Sequence, residues 1–318
     1  LDSSPEAGRY ARVSKILIAG GSGFVGRRLV EQLLARGDRV TVLARDAARA
    51  RRHFPVSVRC ASWTPDREGP WTEELAVVDA VVNLAGEPVA QRWSAAVKDR
   101  IVKSRVDATR VLAGAIGKLA RKPGAFVCAS AIGYYGARRP DEVLDESSEP
   151  GKGFLAGVVE RWEEAARAVE AHGVRAVQLR IGVVFGEGGG ALEKMILPFK
   201  LFVGGPIGDG EQVISWVHRD DVVGMTLLAL DDDRVKGPIN VVSPNPATSA
   251  ELARALGAVL NRPSWLRAPA AAVKAAMGEA AEILLTGQRV QPKKAIELGY
   301  EFRSARLVPA LESILGHG

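Results

Sequence analysis

The chain has 318 residues, of which 47% are hydrophobic and 25% charged, with a formal net charge of +6. Such a balance excludes disordered and fibrous classes and leaves room for one large α/β domain or a large domain with a small companion. No apolar run is long enough to span a bilayer, and two cysteines, Cys60 and Cys128, are too few for a disulfide framework.

The opening LDSSPEAGRYARVS has no hydrophobic period, and residues 1–13 are expected to form a loose arm. Leu1 at the start is compatible with removal of an organellar targeting peptide, and a reducing cytoplasmic or plastid compartment is expected rather than secretion. Then comes KILIAGGSGFVG, residues 15–26. Ile16 to Ala19 read as a strand buried on both faces, Gly20-Gly21 as a tight turn, and Leu29, Val30, Leu33 and Leu34 as one face of a helix that ends at Gly37. In a strand–turn–helix setting the spacing of Gly20, Gly21, Gly23 and Gly26 suits a dinucleotide diphosphate. The loop permits the turn and a close approach to backbone, and the N–H groups around Ser22, Phe24 and Val25 face the anion with the positive end of the helix dipole.

A second strand over Arg39 to Leu43 runs into Arg45. A site for unphosphorylated ribose places a carboxylate at this point, whereas the planar fork of Arg45, with Arg49 behind it, suits a 2′-phosphate, so NADP(H) is the expected cofactor. A third strand is expected near Val56 to Cys60, and the proline- and tryptophan-bearing segment from Trp63 to Leu75 reads as irregular surface. Asp79 to Gly86 reads as a buried strand that ends in Asn83-Leu84-Ala85-Gly86 near the cofactor. Val97, Ile101, Ala108, Val111 and Leu119 mark a long helix after it. Strands follow over Ala125 to Ala129 and Ala176 to Ile181, separated by an amphipathic helix from Phe154 to His172. Such alternation predicts a doubly wound parallel sheet of Rossmann type, with the ligand at the carboxyl ends of the strands. The expected Rossmann domain covers 14–187 and 213–245. In the second Rossmann segment an aspartate after His218 is placed to cap one helix; a smaller, mainly helical substrate-side region covers 188–212 and 246–318, where Thr248 to Glu251 forms a capping box.

Four histidines without metal-ligand spacing predict no metal, and arginines 45, 49, 51 and 52 without interleaved aromatics argue against a nucleic-acid face.

AGGSGFVG, NLAG, LRIGVVFG and WVHRDD resemble, in order, the signature segments of the extended short-chain dehydrogenase/reductases. NLAGEPVAQRW, SAIGYYG, GGALEKMILPFKL, SPNPATSAEL and GQRVQPKKAIELGYEF narrow the resemblance to the atypical "epimerase family" group, with a C-terminal helical domain closing over a small molecule. Ser130, Arg180 and Gly182, at the carboxyl ends of their strands, join the expected cofactor site; by analogy with extended reductases, homodimerisation through the helices from Ser94 and Phe154 is expected. The superfamily's Ser and Tyr-x-x-x-Lys proton-transfer set is missing. Ala131 stands at the serine position with Ser130 one residue early, and the tyrosine and lysine positions hold either Phe154 and Val158 or Leu155 and Val159. Ser130, Tyr134 and Tyr135 are the remaining catalytic candidates, with His218 as a substrate contact. Arg180 is open to either an anionic ligand or an internal carboxylate. The expected function is an NADP(H)-binding oxidoreductase or epimerase-like enzyme with a nonstandard proton donor, or else a non-catalytic NADP(H)-binding sensor, scaffold or assembly subunit.

Overall fold

A computed structural model describes residues 14–316; the expected arm at 1–13 lies outside them. Seven parallel strands form the central sheet: β1 (Lys15–Ala19), β2 (Arg39–Ala44), β3 (Arg59–Ser62), β4 (Ala80–Asn83), β5 (Ala125–Ala131), β6 (Arg175–Ile181) and β7 (Gly237–Val241). Their order across the sheet is β7-β6-β5-β4-β1-β2-β3. The chain moves outward from β1 to β3, then returns to the far side of β1 and moves outward again. The reversal falls between β1 and β4, where Ile16 pairs with Ala80 and Ala19 with Asn83. At such a switch point the flanking connections leave in opposite directions, and a crevice opens beyond the strand ends.

The strands are apolar along their length because both faces are covered. One face packs Leu17, Phe126 and Cys128 under the helices Ala95–Val102, Ala108–Lys118 and Phe154–Arg167; the other packs Ile18, Val82 and Val127 under Phe24–Ala35 and Arg219–Asp231. A separate core around Phe185, Trp216, Leu252 and Leu311 holds the C-terminal helices, with the expected capping box at Thr248 and Glu251. Among the described residues no helix is long and apolar enough to cross a membrane, and no cluster of His, Cys, Asp or Glu is arranged to hold a metal ion.

Three local expectations need correction. The third strand begins at Arg59 rather than Val56, which is exposed. The stretch after it is exposed along much of its length but anchored in the core: Trp63, Trp71 and Leu75 are buried, the two indoles meet edge to face at 6.3 Å, and Pro70–Val77 is a 3-10 helix. Spacing alone missed this segment because its apolar residues follow neither a strand nor an α-helical period. Finally, the helix Arg219–Asp231 is capped by His218, whose Nδ1 accepts from the Asp220 N–H at 3.1 Å. The aspartates sit inside its first turn, where Asp220 pairs with Arg28 and Asp221 accepts from the N–H groups of Arg303 and Ser304.

Candidate cofactor and substrate site

Beyond the ends of β1, β2 and β4 lies a cleft of about 500 Å³, lined by Gly20, Ser22, Gly23, Arg45, Arg49, His53, Trp63 and the run Leu84, Ala85, Gly86. The same three-residue run forms one wall of an inner chamber of about 380 Å³, reaching Ser130, Ala131, Gly133, Gly182 and Trp162, with Glu282, Thr286 and Gln288 from the C-terminal region. Two compartments thus share one wall at the switch point.

The glycine loop is shaped by close approach. Gly20 has φ +80°, and a β-carbon on it would sit 2.7 Å from the Ala85 nitrogen and the Leu84 carbonyl carbon. A β-carbon on Gly26 would collide with the Gly20 carbonyl oxygen and with Gly21, so the first helical turn can lie against the loop only without a side chain there. Gly23 N–H donates to the Gly20 carbonyl at 3.0 Å and closes the turn. The helix Phe24–Ala35 then points its N-terminus at the cleft, where its unpaired N–H groups favour an anion.

Arg45 is exposed in the wall of the cleft and makes no ion pair among the described residues. Its acidic neighbour Asp46 accepts from the Arg49 N–H at 2.9 Å and so caps the short helix Ala47–Arg51. At the inner end of the wall, Asn83 Oδ1 accepts from the Ala85 N–H at 3.2 Å while its Nδ2 donates to Thr109 Oγ1 at 2.9 Å. The buried amide therefore fixes the backbone that both compartments share.

The sequence-nominated residues divide sharply. Gly20, Ser22, Gly23, Arg45, Leu84, Ala85 and Gly86 line the outer cleft, and Ser130 and Gly182 the inner chamber. Gly21 packs against Val42, Val25 against the sheet, and the Phe24 ring covers the glycine-rich hinge at Gly189 and Gly190. His218 acts as a helix cap and lines neither compartment.

Arg180, for which an anionic ligand and an internal carboxylate were both open, holds the carboxylate of Glu163. Its Nε and Nη2 donate to the two Glu163 oxygens at 2.8 and 2.9 Å, and both side chains are buried, at 3% and 1% exposure. Burial alone pulls an arginine's pKa down, but the Glu163 bonds reverse this and leave Arg180 raised. Ser130 Oγ donates to the same carboxylate at 2.6 Å, so one carboxylate joins the chamber's hydroxyl to the pair. Arg180 Nη1 also donates to the Tyr135 hydroxyl at 3.0 Å, which in turn donates to Asn240 Oδ1 at 2.7 Å. Burial pushes the Tyr135 phenol up to about 12, against the opposing pull of Arg180, so it stays neutral at ordinary pH. Tyr134 lies with its ring centre 3.5 Å from the Arg180 guanidinium carbon. Of the three hydroxyls nominated for proton transfer, Ser130 is the one that lines the chamber. Leu155 and Val159, at one of the two alignments of the missing Tyr–Lys pair, both line it as aliphatic wall.

Glu163 was not nominated from sequence. The only hint is a charged residue directly after Trp162, on a helix side that also carries Val159 and Ala166.

Comparison with known proteins follows the same outline. Residues 16–242 match the NAD dependent epimerase/dehydratase family, and residues 268–314 match a domain of unknown function, DUF1731. The chain is 41% identical over 302 residues to the chloroplastic "Epimerase family protein SDR39U1 homolog" of Arabidopsis thaliana, covering 94% of this chain and 86% of that protein. It superposes on the human epimerase family protein SDR39U1 crystallised with NADPH, with a TM-score of 0.83 at 35% identity, over 96% of this chain and all of that one. A nucleoside-diphosphate sugar epimerase from Corynebacterium glutamicum is similar at a TM-score of 0.78 and 32% identity, over 96% of this chain and 59% of that one.

Proposed function

This chain belongs to the NAD dependent epimerase/dehydratase family, and from that premise we propose that it binds NADP(H) across the two compartments and acts on a small molecule in the inner one. The diphosphate lies on the loop from Gly20 to Gly26, the 2′-phosphate meets Arg45 and Arg49, and the nicotinamide passes Leu84 to Gly86 into the chamber. One observation carries the reading: the cleft ends at an arginine without an acidic partner, at the point where ribose recognition by a carboxylate would otherwise occur. A human relative crystallised with NADPH supports the same cofactor.

The reaction class that fits is hydride transfer between the nicotinamide and an alcohol carbon, with Ser130 Oγ accepting from the substrate hydroxyl while its own proton points to Glu163; as hydride leaves carbon, the hydroxyl proton would pass through Ser130 to that carboxylate, and in carbonyl reduction it would return by the same route. When bound, the nicotinamide supplies the hydride; the chamber's aliphatic wall excludes water around it. A second reading rests on Leu155 and Val159: with aliphatic side chains where proton transfer would be served, the protein is a non-catalytic NADP(H)-binding sensor or subunit. Incubation with NADPH and a panel of aldehydes, ketones and nucleotide sugars separates the two. Substrate-dependent loss of nicotinamide absorbance is the expected result, with turnover lowered at least about tenfold by Ser130→Ala. Tight NADPH binding without turnover on the whole panel supports the second reading.

A further inference from the structure

Arg105 is a cation in the inner chamber that forms no ion pair among the described residues, the one carboxylate acting on it from a distance being Glu87. It lines that compartment, its guanidinium lies over the Trp162 ring at 5.2 Å, and it faces Gly86, where a β-carbon would sit 3.1 Å from its Cζ. The backbone delivers it there through a π-helical turn, Lys103–Asp107, a local widening of the helix that recurs at functional positions. No carboxylate lies within ion-pair distance among the described residues. Its one side-chain hydrogen bond, Nη1 to Ser104 Oγ, is 3.5 Å long, and the nearby Glu87 is paired with Arg100.

Arg180 sits in the same fold and provides the contrast, since its fork is closed by Glu163. A guanidinium carries five N–H donors, and stacking on an indole satisfies none of them in the plane of the fork. Half-enclosed arginines of this kind are completed by planar or tetrahedral oxyanions, which meet the fork two oxygens at a time.

We propose that Arg105 is an oxyanion receptor, taking carboxylate or phosphate oxygens from a ligand whose apolar body fills the chamber between Val89, Ile101, Leu155 and Ile283. The oxyanion has two sources: the acid group of a second small molecule beside the nucleotide, or the nucleotide's own diphosphate where it crosses Gly86. The inference deepens the NADP(H) reading and rests on it for the nucleotide arm alone.

Calorimetry on the intact chain distinguishes the sources, with benzoate as probe, benzamide as its neutral isostere, and wild type compared with Arg105→Met and Arg105→Lys. On protein saturated with NADP⁺, benzoate is expected to bind at least tenfold more tightly than benzamide. Arg105→Met should weaken benzoate at least tenfold while NADPH affinity stays within threefold, and Arg105→Lys, which keeps the charge and loses the fork, should fall between. A tenfold loss of NADPH affinity in the Met variant without benzoate binding assigns the receptor to the nucleotide diphosphate. Equal behaviour of wild type and both variants toward benzoate and NADPH overturns the proposal. Should wild type bind no NADPH, the cofactor reading fails by itself, and benzoate titrated into nucleotide-free protein still decides the role of Arg105. Unfolding temperatures identify any variant that fails to fold, and the Lys variant then carries the test.

Discussion

Glu163→Ala is expected to lower the unfolding free energy by about 3–5 kcal/mol, the range found when one partner of a buried pair is removed and the other is left charged. Arg180 would lose both carboxylate bonds in a site where it is 3% exposed, and Ser130 would lose its acceptor at 2.6 Å. Replacing the pair together, as Glu163→Met with Arg180→Met, should cost less than Glu163→Ala alone, because no charge is then stranded. Chemical denaturation of the single and the double variant checks this. A Glu163→Ala loss below about 1 kcal/mol would mean that the carboxylate is not the anchor of the network.

The second large effect is on ligand binding. Gly20→Ala should weaken NADPH at least about hundredfold, or roughly 3 kcal/mol. The residue sits at φ +80°, and its new methyl would press on the Leu84–Ala85 backbone, the wall on which the dinucleotide is proposed to lie. Both the turn and that wall must then move. Ser22→Ala, on the same loop but without a backbone collision, should stay within about fivefold, since it removes at most one hydrogen bond of ordinary strength. Fluorescence titration of NADPH reads both. Similar affinities for the two variants would remove the loop from the binding site.

Much of this arrangement was legible from residue order. The β1 strand is apolar because it is buried on both sides, the glycines after it are spaced for a turn against a helix, and NLAG ends the neighbouring strand. Local patterns of that kind are set by backbone geometry, and the sheet order preserves them. What sequence could not supply is pairing at a distance. Glu163 lies on a helix whose Val158, Trp162, Ala165 and Val169 read as an apolar face, and its partner Arg180 is 17 residues on, at the end of another element. Arg180 left its partner open for the same reason. Trp63 and Trp71 lie in a segment whose irregular period reads as surface, yet tertiary packing buries them. His218 was nominated for its chemistry, whereas the hydrogen bond it makes is to a helix terminus two residues away.

The two compartments meet at Leu84, Ala85 and Gly86, so a ligand in one would press on a wall of the other. An anion at Arg105 and a nicotinamide beside it would each fix the same short stretch of backbone. Coupling between them is the natural consequence, and by linkage it is reciprocal.

The most direct measurement is a calorimetric titration of the full chain with NADPH and with NADH, repeated on Arg45→Ala. NADPH is expected to bind at least about tenfold more tightly than NADH, and the Arg45 variant to lose that preference while its NADH affinity stays within about twofold, as for one charge-assisted contact of about 1.5–3 kcal/mol. No heat from either nucleotide, or equal affinity for both in wild type, would contradict it.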